Sequence, residues 1–196
     1  MNNLNERRLS IRYGTLLNLG GDSIHFGFEC HDGWADLLEG TFRFVQSYAG
    51  QAGLEVGIVQ VKEKFGELRI YQRGGDATVD MALDITELVS GFVCEICGSE
   101  GENTERHGWF RARCPEHSGV AILDVIDPRC SDEQYIVKYA ATLGLVMYLF
   151  SENAARWIQL KSTALGGISP CEAMATTAGC ESVYKLLKQL EHGVGV

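Results

Sequence analysis

Apolar residues recur at helical spacing from Trp34 onward: Trp34, Leu37, Leu38, Phe42 and Val45 share one face, and the run stops in the glycine-rich AGQAG. That periodicity predicts an amphipathic helix. Residues 54–62 then alternate through Leu54, Val56 and Ile58, which predicts a strand; the phase shift at Val59 and Val61 predicts a bulge in it. KEKFGE reads as a turn into a second strand over residues 68–71, closed by RGGD. Met81, Ile85, Leu88 and Phe92 predict another helix starting at Asp76, whose other side carries Asp80, Asp84 and Glu87 and reads as a solvated face. Before Trp34 the pattern reads as loop-rich, with NLGGD and HDG as turns.

Residues 118–131, punctuated by Pro128, read as a linker or covering segment, and from Asp132 onward the pattern is helical throughout. One helix there is apolar on two sides. Ile136, Ala140, Leu143, Met147 and Phe150 form one stripe, and Val137, Ala141, Leu145 and Tyr148 the other. Such a helix has to be covered on both sides, within its own domain or by a second subunit, and the first stripe is the expected seam of a homodimer. Further on, Ser169, Pro170 and Glu172 carry the residue types of a capped helix start, and Thr177 is a candidate cap for a final helix buried through Val183, Leu186, Leu187 and Leu190. His192 and Gly193 supply a cation and a stop at its end. The whole reads as an α+β fold in two parts: an α+β domain over 1–120 and an all-α domain over 121–196.

With 196 residues, 45% of them apolar, the chain is long enough for one sizeable core or two small ones. The net charge of −9 argues against general binding to a phosphate backbone. The opening MNNLNERRLS is polar with no apolar run after it, so an export signal is not expected, and residues 139–150, the longest apolar run, are too short for a bilayer. Seven cysteines without an export signal point to a reducing, cytoplasmic setting.

The cysteines carry the clearest chemistry. Cys94-x-x-Cys97 is followed by Cys114-x-x-His117, and two such knuckles suit a tetrahedral Zn²⁺, which accepts thiolate and imidazole together. Gly98 falls where a knuckle turn calls for positive φ, WFRARC reads as a strand delivering Cys114, and Pro115 opens the turn presenting His117. With every position filled by protein, the zinc is structural. His107 and Cys130 are spare candidates. Arg106, Arg111 and Arg113 beside Trp109 and Phe110 form a basic-aromatic patch, which sets a zinc-dependent nucleic-acid-associated regulator as the alternative function. A hydrolase centred on the zinc, or on Cys30 in Cys30-His31-Asp32, is a third reading, although a buried cysteine beside a turn explains Cys30 more simply.

Two resemblances extend this reading. FGFECHDGW, VQVKEKFGELRIY and the two knuckles resemble a widespread, poorly characterised domain of bacterial and phage proteins, over roughly residues 10–118; it implies the fold and the zinc, and no activity. The last 60 or so residues resemble the C-terminal toxin-binding domain of MbcA/ParS/Xre-type antitoxins. Ala154, Trp157, the Ala164-Leu165-Gly166-Gly167 turn, Ser169-Pro170, Glu172, Gly179, Leu186-Leu187 and Glu191-His192-Gly193 carry it. That resemblance implies a non-enzymatic binding protein, commonly dimeric, whose partner is a RES-type toxin that consumes NAD⁺. It places Trp157, Leu165, Gly166, Gly167, Glu191, His192 and Gly193 at the partner, with the final helix and tail in the toxin's active-site cleft. Such antitoxins usually carry a DNA-binding helix-turn-helix upstream, and here the knuckle domain stands in its place.

Overall fold

The computed structural model describes residues 1–17, 27–119 and 131–193. The NLGGD turn, Pro128 and the linker around it, Cys130 and the tail 194–196 lie outside these residues. The elements run α1 (Asn3–Arg12), α2 (Gly14–Leu17), β1 (Phe28–Glu29), α3 (Ala35–Ala52), β2 (Gly57–Lys64), β3 (Glu67–Arg73), α4 (Ala77–Ser90), β4 (Glu102–Arg106), β5 (Trp109–Arg113), α5 (Glu133–Phe150), α6 (Ala154–Trp157), α7 (Pro170–Ala173) and α8 (Thr177–Glu191). The fold is α+β.

The helix and hairpin predictions for the central region hold. α3 buries Leu37, Leu38, Phe42 and Val45, and ends on Gly53 in the left-handed region. β2 and β3 pair antiparallel with a register shift between Ile58 and Gln60, the expected bulge, and short β1 adds a parallel edge beside β2. Asp76 caps α4 by accepting from the amides of Thr78 and Val79.

The loop-rich reading of the first 33 residues is corrected by α1 and α2. Asn2 caps α1, and Leu9, Tyr13, Leu16 and Leu17 bury one stripe against the core. Arg8 forms an ion pair with the carboxylate of Glu39, which is buried on α3, and Arg12 donates a hydrogen bond to it. Arg8 also bonds Asp36 at 2.8 Å. α1 is polar in composition, so its stability comes from these tertiary contacts, which local periodicity does not register.

The acidic side of α4 is also less solvated than expected. Glu87 accepts the Ile70 amide at 2.7 Å, and its carboxyl pKa is raised, chiefly by burial.

α5 lies at the centre of the helical part, flanked by α3 on one side and α8 on the other. Ile136, Leu143 and Met147, the stripe expected to form a dimer seam, are buried within the chain. α3 approaches closely enough at Gly40 that a Cβ there would lie 2.9 Å from the Tyr139 ring. A buried hydroxyl chain crosses the contact: Thr41 and Thr86 meet at 2.8 Å, and Thr86 meets Tyr139 at 3.1 Å, linking α3, α4 and α5. Residues from α1 to α8 share one hydrophobic core. A second, much smaller cluster consists of Cys94, Ile96 and Cys114, with Cys97 against it.

Candidate metal centre and partner-binding surface

The small cluster lies where the two expected knuckle pairs, Cys94-x-x-Cys97 and Cys114-x-x-His117, come together. α4 ends at Ser90, and the chain turns through Gly98, which adopts φ +73°. The β4–β5 hairpin then returns it to Cys114, and Pro115 starts the single turn of 3-10 helix that carries His117. The ligand atoms of Cys94, Cys97, Cys114 and His117 all lie within 4.8 Å of one another. Cys97 Sγ is 3.8 Å from Cys114 Sγ, and His117 Nδ1 is 3.6 Å from Cys94 Sγ and 3.2 Å from Cys114 Sγ. A tetrahedral shell with metal–sulfur bonds of about 2.3 Å has edges of about 3.8 Å. The four residues are therefore arranged to hold a metal ion. His107 stands at the tip of the β4–β5 turn with φ +55°, apart from that cluster.

Burial pushes the Cys94 thiol up to about 11. Burial also opposes ionisation of Cys97, but hydrogen bonds from Ser99 and the neighbouring thiols outweigh it and hold that group at about 7. One thiolate is thus available near neutrality, and an ion has to displace a proton from Cys94.

The sequence reading missed what holds the knuckle in place. The Trp34 indole donates to the carbonyls of Ser90 and Val93, at 3.1 and 2.9 Å. The Gly33 amide donates to Glu95 O at 2.8 Å, and a Cβ at Gly33 would collide with Cys94 O. Glu95 and Arg113, 3% and 4% exposed, form a buried ion pair at 2.7 Å, and Arg113 also reaches His117 O. The HDG turn was visible in the sequence, but its use as the knuckle's dock was not.

Cys30 has the surroundings of a core cysteine. It is buried, and burial pushes its thiol up to about 12, while Asp32 accepts from the Asn2 amide and the Asn5 side chain at 2.9 Å. The basic-aromatic patch is divided by the pleat of the hairpin. Phe110 packs edge-on against Phe65 on one face, Arg113 is paired with Glu95, and Arg106, Arg111 and Trp109 remain together on the other face.

In the C-terminal part, Trp157 stacks on Phe150 with ring centroids 4.3 Å apart. Ser162 closes a tight loop by donating to Ile168 O and accepting from the Gly167 amide, with Gly166 and Gly167 at φ +73° and +90°. Leu165, in the short turn before these glycines, packs against the core, and that turn lies beside α8. Ser169 caps α7 by accepting from Glu172 N at 3.2 Å, as expected. The cap of α8 is Thr176, accepting from Gly179 N at 3.0 Å, one residue before the expected Thr177. Thr177 reaches Asp132 instead. Val183, Leu186 and Leu187 bury one face of α8, whereas Leu190 is exposed, a correction to the expected stripe. Glu191, His192 and Gly193 are exposed beyond that buried stripe.

Residues 147–193 match the family model of the antitoxin Xre/MbcA/ParS C-terminal toxin-binding domain. This segment of the chain is similar to that antitoxin domain. The match spans the Phe150–Trp157 stack, the Gly166-Gly167 loop and α8, it supports an antitoxin role, and it implies a toxin as protein partner. No curated protein and no solved structure matches the chain. Among the described residues no helix is long and apolar enough to cross a membrane.

Proposed function

We propose that the chain is a non-enzymatic antitoxin whose residues 121–196 neutralise a RES-type, NAD⁺-consuming toxin in the cytoplasm, and whose residues 1–120 form an accessory unit held by structural zinc. The observation that carries this reading is the antitoxin-domain match over residues 147–193. Physical features agree with occlusion of the toxin's active site. α8 is anchored by Val183, Leu186 and Leu187, so Glu191, His192 and Gly193 stand exposed at the end of a fixed base. Gly193, at φ +68°, turns the chain there without a Cβ clash. In this reading Trp157, Leu165, Gly166 and Gly167 belong to the surface that seats the toxin. Zinc is the ion we assign to the knuckle, because three thiolates and an imidazole at tetrahedral spacing suit it over harder cations.

The homodimer we expect uses the stripe of α5 that the chain leaves open, Val137, Ala141 and Tyr148, the last 73% exposed. Deleting residues 191–196 tests the occlusion. The truncated protein should fold, still capture a RES-type toxin partner, run as a dimer by light scattering, and leave the toxin active. Inhibition by the truncated protein as complete as by the whole chain removes the plug, and a monomer at assay concentration removes the dimer.

A further inference from the structure

One face of the β4–β5 hairpin and the turn after Cys114 enclose a cavity of about 400 Å³. Its walls include Arg106, His107, Trp109, Arg111, Arg113 and His117, and among the described residues no carboxylate lines it. On a chain of net charge −9 that is a local reversal of sign. Arg113 is neutralised by Glu95, and Arg106 donates one nitrogen to Ser118 O at 3.0 Å, which fixes its guanidinium at the rim. Arg111 is half-buried, and no hydrogen bond or ion pair to another described residue engages its side chain. A partly exposed guanidinium that no carboxylate engages keeps its fork of donors open to an anion. Beside it Trp109, 70% exposed, offers an open aromatic face. Large apolar rings left exposed at the mouth of a polar cavity are stacking surfaces.

We propose that this cavity binds a nucleotide, with its phosphate between Arg106 and Arg111 and its base on Trp109. Guanidinium forks match phosphate oxygens, and a cavity of this size holds one nucleotide. The pleat that turns Phe110 away and the pairing of Arg113 leave two cations where the sequence offered three, and the rest of the chain is acidic. That arrangement favours a single free nucleotide over a strand, whose flanking phosphates would meet no further basic residues in the cavity. The site stands apart from the antitoxin surface and does not depend on it.

The test is a calorimetric titration of the full-length, metal-containing protein with adenosine monophosphate, adenosine, inorganic phosphate and a short single-stranded oligoadenylate. Adenosine monophosphate should bind in the micromolar to millimolar range, and adenosine or phosphate alone much more weakly. Arg111→Gln and Trp109→Ala should each weaken it by about tenfold or more, as the loss of a charge-assisted contact or a stacking surface does. Metal content and circular dichroism check each variant. If Arg111→Gln loses metal, the exposed Arg106→Gln is read in its place, and amide shifts of the wild type should localise to residues 104–119. No binding at millimolar concentration, unchanged binding in the variants, or binding of the oligonucleotide without the mononucleotide overturns the proposal.

Discussion

The knuckle and the C-terminal helices, whose residues 147–193 match the antitoxin-domain family, are held together by different means. In the knuckle only Cys94, Ile96 and Cys114 are buried as a cluster, and two of these three are metal-ligand candidates. So little apolar surface cannot offset the chain entropy of ordering a hairpin and two turns. The helical segment instead contributes Leu143, Val146, Met174, Val183 and Leu187 to a core shared with α1, α3 and α4. A metal ion at the four candidate ligands would organise the first region, whereas burial organises the second. Each region is therefore sensitive to a different perturbation.

The largest separation should come from Cys94→Ser. Structural zinc binds with about 10–16 kcal/mol in zinc-finger peptides, and that free energy is folding free energy. The variant should purify with well under half an equivalent of metal. Hydrogen exchange should rise across residues 94–117 while the amides of α5 and α8 stay protected. Loss of protection in α5 and α8 to the same degree would show that the two regions form one cooperative unit.

Leu143→Ala probes the other side. Removing a fully buried leucine between α3 and α8 should cost about 2–5 kcal/mol, read as a lower denaturation midpoint, with the metal retained in the native baseline. Metal release ahead of the unfolding transition would contradict the separation.

Acid should distinguish the regions more gently. An ion competes with protons for Cys94, whose thiol is raised to about 11, and below about pH 7 for Cys97 as well. Affinity therefore falls as pH falls, by about tenfold per unit for each proton displaced, roughly 1.4 kcal/mol. The slope should steepen below pH 7. Metal affinity measured with a competing chelator from pH 6 to 8 checks this, and a flat profile would sink it.

Local chemistry was legible in the sequence wherever a short stretch carries its own physical logic. The C-x-x-C and C-x-x-H pairs, Gly98, the Ser169 and Asp76 caps, and the bulge at Val59 were all readable, because each depends on neighbours a few residues away. So was the antitoxin segment, whose marker residues run in order over residues 147–193. α1 was not, since its polar sequence is stabilised by Glu39 and Asp36 across the fold.

What the amino-acid order determined by itself is therefore most of the elements after Trp34, the four candidate ligands and the likeness of the C-terminal segment to an antitoxin domain. Tertiary structure alone decided what those elements face. It turned the first stripe of α5 inward between α3 and α8, tied both halves through Thr41, Thr86 and Tyr139, and docked the knuckle on Gly33 and Trp34. It also paired Arg113 with Glu95 and left Arg111 facing a cavity. The physical reason is range: periodicity and spacing report contacts within a few turns of chain, whereas the partner of a buried hydroxyl, an arginine or an apolar stripe lies tens of residues away and is chosen only when the core closes.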